Sequence, residues 1–413
     1  MTIAYFRNLD TLEGMPRFLV VVLLVLALIP VPAALTQEVE EAAYTFVSVP
    51  DFLNADVGTV RRSRRWDNGD PNSINASYRG AVDVILDAIE AEGPDSVLVA
   101  GDLVEGHWGI DEDDTGIFGP VKTFAQKNRA VTRAGNLYYR QWARRFAQRD
   151  LPVFPAVGDH EIGDNPWPAR RFKYRAMPVF KSVWAKHFTD SGSAYAMRPR
   201  GTRWEDTAYA TYLRPELLLV TVDVFARSRD GVHAKVVRGQ LRWLDDVLAH
   251  NTALGDGGAK WVIVQGHTPV LGPVRMARSS GLYTENGEAF WDTMQRHDVT
   301  AYFNGEVHTV TLRHDGVTQI SHGNGIVAGI GDFNYLVGTV YDDRIEITIK
   351  RIPRLSTDNT VELWQTSRKR PPISVTYERE SHVSGTAVLT EDGGRIDEFT
   401  GELIPVDGVL VDG

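Results

Sequence analysis

The sequence of 413 residues contains no cysteine. Disulfide bonds and thiolate metal ligands are therefore excluded, and any bound metal must be held by oxygen atoms and imidazole nitrogens. An excess of positive charge is also lacking, because 44 Lys and Arg residues stand against 54 Asp and Glu residues, a formal net charge of −10. The sequence consequently carries no signature of general nucleic-acid binding. With 43% hydrophobic and 24% charged residues, it does not fit a collagen-like or wholly disordered protein.

Long apolar runs are scarce, and the longest lies near the start of the sequence, from Phe18 to Ile29. It is short for a bilayer span but suits the hydrophobic region of a signal peptide, with Arg17 before it and the small residue Ala33 after it. We therefore predict a signal peptide over residues 1–34, with Met15 as the better initiator. The mature protein is then exported (secreted, periplasmic or associated with the cell envelope) and has no stable membrane span. An uncleaved signal, the alternative, would leave a single membrane anchor.

Apolar strand-like segments alternate with amphipathic helical segments over most of the sequence. We predict strands over 44–49, 96–100, 153–157, 217–224, 261–265, 300–304 and 345–350, and helices over 79–92, 240–250 and 287–297. This alternation favours a layered α/β fold. Residues 355–413 lose it, and we predict that they form a small β-rich extension.

Polar clusters directly follow five of the predicted strands. The residues are Asp51, Asp102, Asp159 with His160 and Glu161, His267, and Glu306 with His308. A single cluster of this kind is compatible with an ordinary turn. Their repetition favours a common site, because ligands of layered α/β folds bind beyond the carboxyl ends of the strands. Carboxylates and imidazoles from separate strands can hold two cations that clamp a phosphate ester and generate hydroxide.

The order of these motifs resembles that of the calcineurin-like metallophosphoesterases, the superfamily that includes purple acid phosphatases. The resemblance covers roughly residues 44–350 and rests on Asp51, Gly101-Asp102, Gly158-Asp159-His160-Glu161, Gly266-His267 and Gly305-Glu306-Val307-His308. It implies a four-layer α/β/β/α metallophosphoesterase sandwich, here with a small β-rich C-terminal extension after a domain of residues 44–354. It also implies two divalent metal ions (Mn, Fe, Mg, Ca or Zn) and hydrolysis of phosphate mono- or diesters by attack of a metal-activated hydroxide.

The resemblance assigns a role to each motif residue. The implied metal ligands are Asp51 and His308 for the first ion, Asp102 as the bridge, and Asp159, His267 and Glu306 for the second ion. His160 would be the catalytic histidine that contacts the phosphate or protonates the leaving group. Glu161 would orient its imidazole, since a neighbouring carboxylate fixes the tautomer and raises the pKa.

The sequence departs from the family pattern at three ligand positions. Leu53 stands where most members have a histidine, Asp159 where an asparagine is usual, and Glu306 where a histidine is usual. The last two changes replace neutral ligands by anionic ones, so an oxygen-rich shell favours harder ions over a zinc-only site. The residue that replaces the missing histidine stays open among Asn54, Glu105 and His107.

Candidate substrate contacts lie in the loops after the motifs. They are Asn54, Arg62, Arg65, His107, Trp167 and Arg170. Arginine suits phosphate oxygens, although solvated surface loops are the alternative interpretation of these segments. The expected substrate is a phosphorylated small molecule or lipid. The alternative function is that of an exported binding module with impaired catalysis, which the missing histidine favours and the retained His160 opposes.

Overall fold

Strands of two mixed sheets and five α-helices make up the part of the chain that the structure describes. The structure is a computed structural model that describes residues 44–52, 76–104, 106–110, 116–254, 257–272, 287–323, 331–355 and 376–406. The predicted signal peptide, Asn54, Arg62, Arg65 and Glu105 lie outside these ranges. None of the helices within them is long and apolar enough to cross a membrane.

The elements are numbered here in the order in which they occur along the chain. The strands are β1 (Tyr44–Ser48), β2 (Ser96–Val99), β3 (Val153–Pro155), β4 (Tyr209–Arg214), β5 (Leu217–Thr221), β6 (Phe225–Arg227), β7 (Val232–Ala234), β8 (Trp261–Gln265), β9 (Ala301–Asn304), β10 (Thr311–His314), β11 (Thr318–Ser321), β12 (Phe333–Val340), β13 (Ile345–Ile352), β14 (His382–Leu389) and β15 (Ile396–Gly401). The helices are α1 (Ala76–Ala91), α2 (Phe124–Ala147), α3 (Phe172–His187), α4 (Gly239–Ala253) and α5 (Glu288–Arg296).

Each sheet contains a parallel block whose strands end at the same edge. The first sheet has the order β15-β14-β13-β12-β1-β2-β3, in which β1, β2 and β3 are parallel and the other pairs are antiparallel. The second has the order β10-β11-β9-β8-β5-β4, in which β11, β9, β8 and β5 are parallel. A hairpin of β6 and β7 stands apart from both sheets.

The two sheets pack face to face through alternate residues of their strands. Phe46 of β1 and Phe303 of β9 lie with ring centroids 5.8 Å apart, in a core that also contains Leu98 and Ile263. The intervening residues of the same strands point to the opposite faces, where helices cover them. This alternation produces the α/β/β/α layers, because each sheet buries one face on its neighbour and the other under helices.

Helices cover both outer faces with apolar stripes. Helix α1 buries Val82, Ile85 and Ile89 in the core that contains the outward residues of the first sheet. On the second sheet, Phe290 of α5 packs edge-on against Tyr302 of β9 at a centroid distance of 5.5 Å. Full burial of side chains of this size contributes about 1.5–3 kcal/mol each.

The predicted strand 217–224 is interrupted in the structure. Strand β5 ends at Thr221, and Phe225 begins the separate hairpin. The buried Asp223 causes the interruption, because its side chain accepts a hydrogen bond from the Phe225 amide at 3.0 Å while its own amide donates to the Gln240 side chain at 2.8 Å. A backbone bound to side chains in this way cannot continue the ladder.

The last two strands of the described chain extend the first sheet. Strand β14 pairs antiparallel with β13, and β15 pairs with β14 through partners such as Thr386 and Thr400. Residues of the predicted C-terminal extension therefore share a sheet with β1 at the other end of the chain.

Candidate metal centre

Side chains that follow five strands converge at one place in the molecule. Asp51 follows β1, Asp102 follows β2, Asp159 follows β3, His267 follows β8, and Glu306 and His308 follow β9. Three groups have one potential ligand atom per residue within 4.8 Å of one another: Asp51 with Asp102 and His267, Asp102 with Asp159 and His160, and Asp159 with His267 and Glu306. The parallel blocks of both sheets thus deliver carboxylates and imidazoles to a single cluster.

His267 lies at the middle of this cluster and is completely buried. Its Nδ1 is 2.8 Å from the Ala100 carbonyl oxygen, which can only accept, so Nδ1 carries the hydrogen. Its Nε2 faces carboxylate oxygens of Asp102 and Asp159, both at 3.3 Å, and of Glu306 at 3.1 Å. A neutral ring would direct a lone pair at these oxygens, an arrangement that requires a proton or a cation between them.

Asp51 occupies the second half of the cluster. Its Oδ1 accepts a hydrogen bond from the Glu306 amide at 3.1 Å and lies 3.8 Å from Nε2 of His308. Its Oδ2 is buried and has no hydrogen-bond partner among the described residues. A Cβ atom at Gly305 would lie 2.6 Å from Oδ2, and one at Gly323 would lie 2.2 Å from it. Glycine at both positions therefore leaves room for this carboxylate.

Three of the acidic residues have left-handed backbone conformations. The φ angles are 59° at Asp51, 63° at Asp102 and 68° at Glu306. Residues other than glycine rarely adopt this region, and a glutamate does so less readily than an aspartate. Such conformations concentrate at binding and catalytic sites, where the surrounding fold compensates for their cost.

The electrostatics of the cluster favour proton uptake when no cation is present. Burial raises the pKa of Asp51 to about 7 and that of Asp102 well above its ordinary value of 3.8. Burial lowers the pKa of His267, but the surrounding carboxylates, Asp102 first, outweigh burial and raise it well above 6.5. Burial likewise opposes ionisation of Asp159, yet its pKa is lowered because His160, His267 and Asn165 stabilise the anion.

Divalent cations fit this donor set. Four carboxylates and two imidazoles make up the cluster. Within the described ranges, two of its buried atoms, Oδ2 of Asp51 and Nε2 of His267, have no hydrogen-bond partner. Cations would neutralise these carboxylates in place of the protons that the raised pKa values of Asp51 and Asp102 otherwise require.

A family model described as calcineurin-like phosphoesterase matches residues 67–310, which is more than half of the sequence. The chain belongs to the calcineurin-like phosphoesterase family. Asp51 precedes the matched residues, so its place in the site rests on the geometry described above. A search of curated proteins gave no match.

The chain is also similar to solved structures at low sequence identity. The chain is similar to a dimetal phosphatase from Danio rerio with 17% identity and a TM-score of 0.44, over 75% of this chain and 96% of that chain. It is similar to PhoD with 13% identity and a TM-score of 0.50, over 90% of this chain and 74% of that chain. At these identities the likeness to PhoD concerns the fold, which is the layered α/β fold of this phosphoesterase family.

Glu161 has structural partners that the sequence analysis did not predict. Its carboxylate accepts hydrogen bonds from the backbone amides of Asp102 at 2.7 Å, Leu103 at 2.9 Å and Gly158 at 2.7 Å. Both of its oxygens join the loop after β2 to the loop after β3, and its role in orienting His160 stays a prediction. The buried carboxylate thereby fixes the backbone that carries Asp102 and Asp159.

Two residues that were not predicted from the sequence, Asp164 and Asn165, lie next to His160 and Asp159. Asp164 Oδ1 lies 4.0 Å from Nε2 of His160, and Asp164 Oδ2 lies 2.8 Å from Nε2 of His107. The side-chain amide of Asn165 donates to Oδ2 of Asp159 at 3.1 Å. Both residues lie in a short Asp-Asn-Pro segment, a pattern that is typical of a turn and carries no separate signal of a functional role.

The candidate substrate contacts within the described residues differ in burial and in their position relative to His160. His107 is partly buried, and its ring is stacked with that of His160 at a centroid distance of 6.0 Å. Trp167 is 5% exposed, donates to the Ile162 carbonyl and packs against Phe225, so its ring supports the segment from inside the core. Arg170 is exposed at the surface.

Proposed function

We propose that this protein is a metal-dependent phosphoesterase that hydrolyses phosphate mono- or diesters with two divalent ions. One observation carries the proposal: Nε2 of the buried His267 faces carboxylate oxygens of Asp102, Asp159 and Glu306, all within 3.3 Å. A purely structural histidine would be paired with one partner, whereas this convergence suits a cation. The family membership of the chain gives the reaction class.

Each cluster residue then has a defined task. Asp51 and His308 would hold the first ion, Asp102 would serve both ions, and Asp159, His267 and Glu306 would hold the second ion. Two bound ions supply Lewis-acid activation of the ester and of water. The Ala100 carbonyl fixes the tautomer of His267 and leaves Nε2 available as a ligand.

His160 is the group that handles the proton of the leaving alcohol. It lies beside Asp102 and Asp159 at the rim of the cluster, where 14% of its side chain is exposed. Its backbone amide donates to Oδ1 of Asp102 at 3.1 Å, which ties its position to that of the bridge. A protonated imidazole there can donate to the leaving oxygen as the bond to phosphorus breaks.

Export of the protein is part of the same proposal. It is supported by Arg17 followed by the apolar run from Phe18 to Ile29, which has the length and flanks of a signal peptide. The substrate is then a phosphorylated small molecule or lipid outside the cytoplasm.

Elemental analysis of the purified protein, coupled to a screen of mono- and diesters in Mn²⁺, tests the function. We expect close to two ions per chain and turnover of at least one ester class. Asp102→Ala and His308→Ala should lose bound metal and activity, whereas His382→Ala, an exposed histidine of β14, should keep both. Full activity of both site variants would contradict the proposal, and a metal-free, inactive chain would favour a binding module.

A further inference from the structure

A second site lies outside the metal cluster, in a cavity of about 650 Å³ that we name the arginine cavity. It is formed by the β6–β7 hairpin, helix α3 and the segments that lead to β4 and α4. Its cationic lining residues are Arg203, Arg227, Arg229, Lys235 and Arg238. No carboxylate lines it. Five positive side chains around one cavity are unusual in a chain whose formal net charge is −10.

The positive charge of this cavity is not neutralised by ion pairs, although the carboxylates of Glu205 and Asp206 line an adjoining cavity. Within the described ranges, none of the five cationic residues forms an ion pair. The acids of the neighbouring segments have other partners: Asp223 binds Lys181 at 2.5 Å, and Asp230 binds His233 at 3.0 Å. Glu205 accepts a hydrogen bond from the Gly201 amide. Because like charges repel at short range, the arrangement is expected to be stabilised by an anion from outside the chain.

Two of the arginines lie over aromatic rings. The guanidinium of Arg227 lies over the ring of Tyr174 at 4.6 Å, and that of Arg203 lies over Trp204 at 5.4 Å. The Tyr174 hydroxyl is itself fixed by a 2.8 Å hydrogen bond to the Ser228 carbonyl. A stacked guanidinium keeps its N–H groups at the edge of the plane, where they can bind phosphate oxygens in pairs.

The cavity continues toward a second one of about 580 Å³ that shares Tyr174, Arg203 and Arg227 with it. That second cavity is lined by Phe225, whose ring centroid lies 6.1 Å from that of His267. Arg227 ends the short strand that Phe225 begins. The positive cavity is therefore separated from the candidate metal centre by a single short strand.

We propose that the arginine cavity binds a small molecule that carries at least two linked phosphoryl groups. Its volume is in the usual range for small-molecule sites, and its five cations match a chain of phosphates better than a single one. An acidic polymer would require a basic surface of larger extent, which the acidic chain does not favour. The proposal concerns binding alone and does not depend on metal or on phosphoesterase activity.

Isothermal titration of the full-length protein with inorganic tripolyphosphate tests the proposal, once as purified and once after chelation of metal. We expect one binding site that persists after chelation and weakens as salt is raised, because the contacts are ionic. The double variant Arg203→Gln/Arg227→Gln should bind at least about tenfold more weakly. Arg214→Gln removes the same charge from an exposed residue at the end of β4, away from the cavity, and should bind normally.

Several outcomes would overturn the proposal. Binding that disappears on chelation belongs to the metal centre, and binding that the double variant retains belongs elsewhere on the protein. Binding of heparin or single-stranded DNA without binding of tripolyphosphate would identify the cavity as a contact for acidic polymers. Thermal unfolding of each variant, compared with the unmodified protein, shows whether a loss of binding reflects the site or the fold.

Discussion

Nε2 of His267 and Oε2 of Glu306 lie 3.1 Å apart in the interior of the protein. Glu306 occupies a position where a neutral imidazole is usual in the resembled family, so this pair introduces a negative charge next to a metal-ligand candidate. The backbone amide of Glu306 also donates a hydrogen bond to Asp51, and this bond links the candidate ligands after β9 to the one after β1. The charge of the metal centre is thus set partly by this one residue.

Glu306→His should shift the metal preference of the protein. The substitution replaces a carboxylate by the family's usual imidazole, which suits zinc better than Mn²⁺ or Mg²⁺. Histidine is tolerated in the left-handed conformation found at this position. We expect the affinity for Mn²⁺ to fall roughly tenfold while zinc is retained. Competition titrations measure both affinities, and Glu306→Gln separates the effect of charge from that of ligand type. An unchanged preference in both variants would argue against Glu306 as a ligand.

Glu161→Gln should destabilise the protein although the residue is not a proposed metal ligand. Glutamine offers one acceptor oxygen and an NH₂ group to a site in which three backbone amides donate. An unsatisfied buried donor and the loss of charge-assisted hydrogen bonds should together cost about 2–4 kcal/mol of the free energy of unfolding. Denaturant unfolding measures this cost, with Glu398→Gln on the exposed face of β15 as the control. Equal stability of the two variants would contradict the assignment.

His160→Asn should separate chemistry from metal binding. The variant keeps the backbone amide that donates to Asp102 but loses the imidazole that protonates the leaving group. We expect turnover of alkyl phosphate esters to fall about 10²–10⁴-fold, whereas esters of acidic phenols, which leave without a proton, should be affected much less. Metal content should stay at the level of the unmodified protein. A uniform loss across leaving groups would indicate a positioning role for His160.

The metal-free protein should become less stable as pH rises from about 4 to about 7. Asp51 has a pKa of about 7 in the folded protein against 3.8 ordinarily, so the folded state binds more protons than the unfolded state in this window. The pKa of Asp102 is also raised, so this residue changes the stability in the same direction. The raised pKa of His267 adds stability that is likewise lost at higher pH. Asp159 has the opposite shift, whose effect lies below this window.

Thermal unfolding of chelated protein at about pH 5 and about pH 8 measures this dependence. Added Mn²⁺ should restore stability most strongly at the higher pH, since cations bind the deprotonated ligands and replace the protons. Asp51→Asn removes one of the groups whose raised pKa acts in this window and should flatten the profile. A chelated protein that is more stable at the higher pH would contradict the proposed linkage.

The sequence was most informative where a signal is local. Strand ends can be recognised from apolar residues that stop at a polar cluster, and the clusters at Asp51, Asp102 and His267 were located in this way. The use of Glu161 was not predictable, because its partners Asp102 and Leu103 lie 58 to 59 residues earlier in the chain. The interruption after β5 has the same cause, since Asp223 is bound by Gln240 from the next helix. Contacts of this kind depend on the packing of separate elements, which no sequence window contains.

The position of β1 between β2 and β12 has a consequence for how the protein assembles. Strand β1 is the first described element, yet its neighbour β12 begins only at Phe333, and the contact between Asp51 and Glu306 joins residues 255 positions apart. Such distant pairings form late and slowly. The cluster therefore acquires its full set of donors only after the chain as far as β12 has emerged and folded. Uptake of metal can serve as a readout of completed folding.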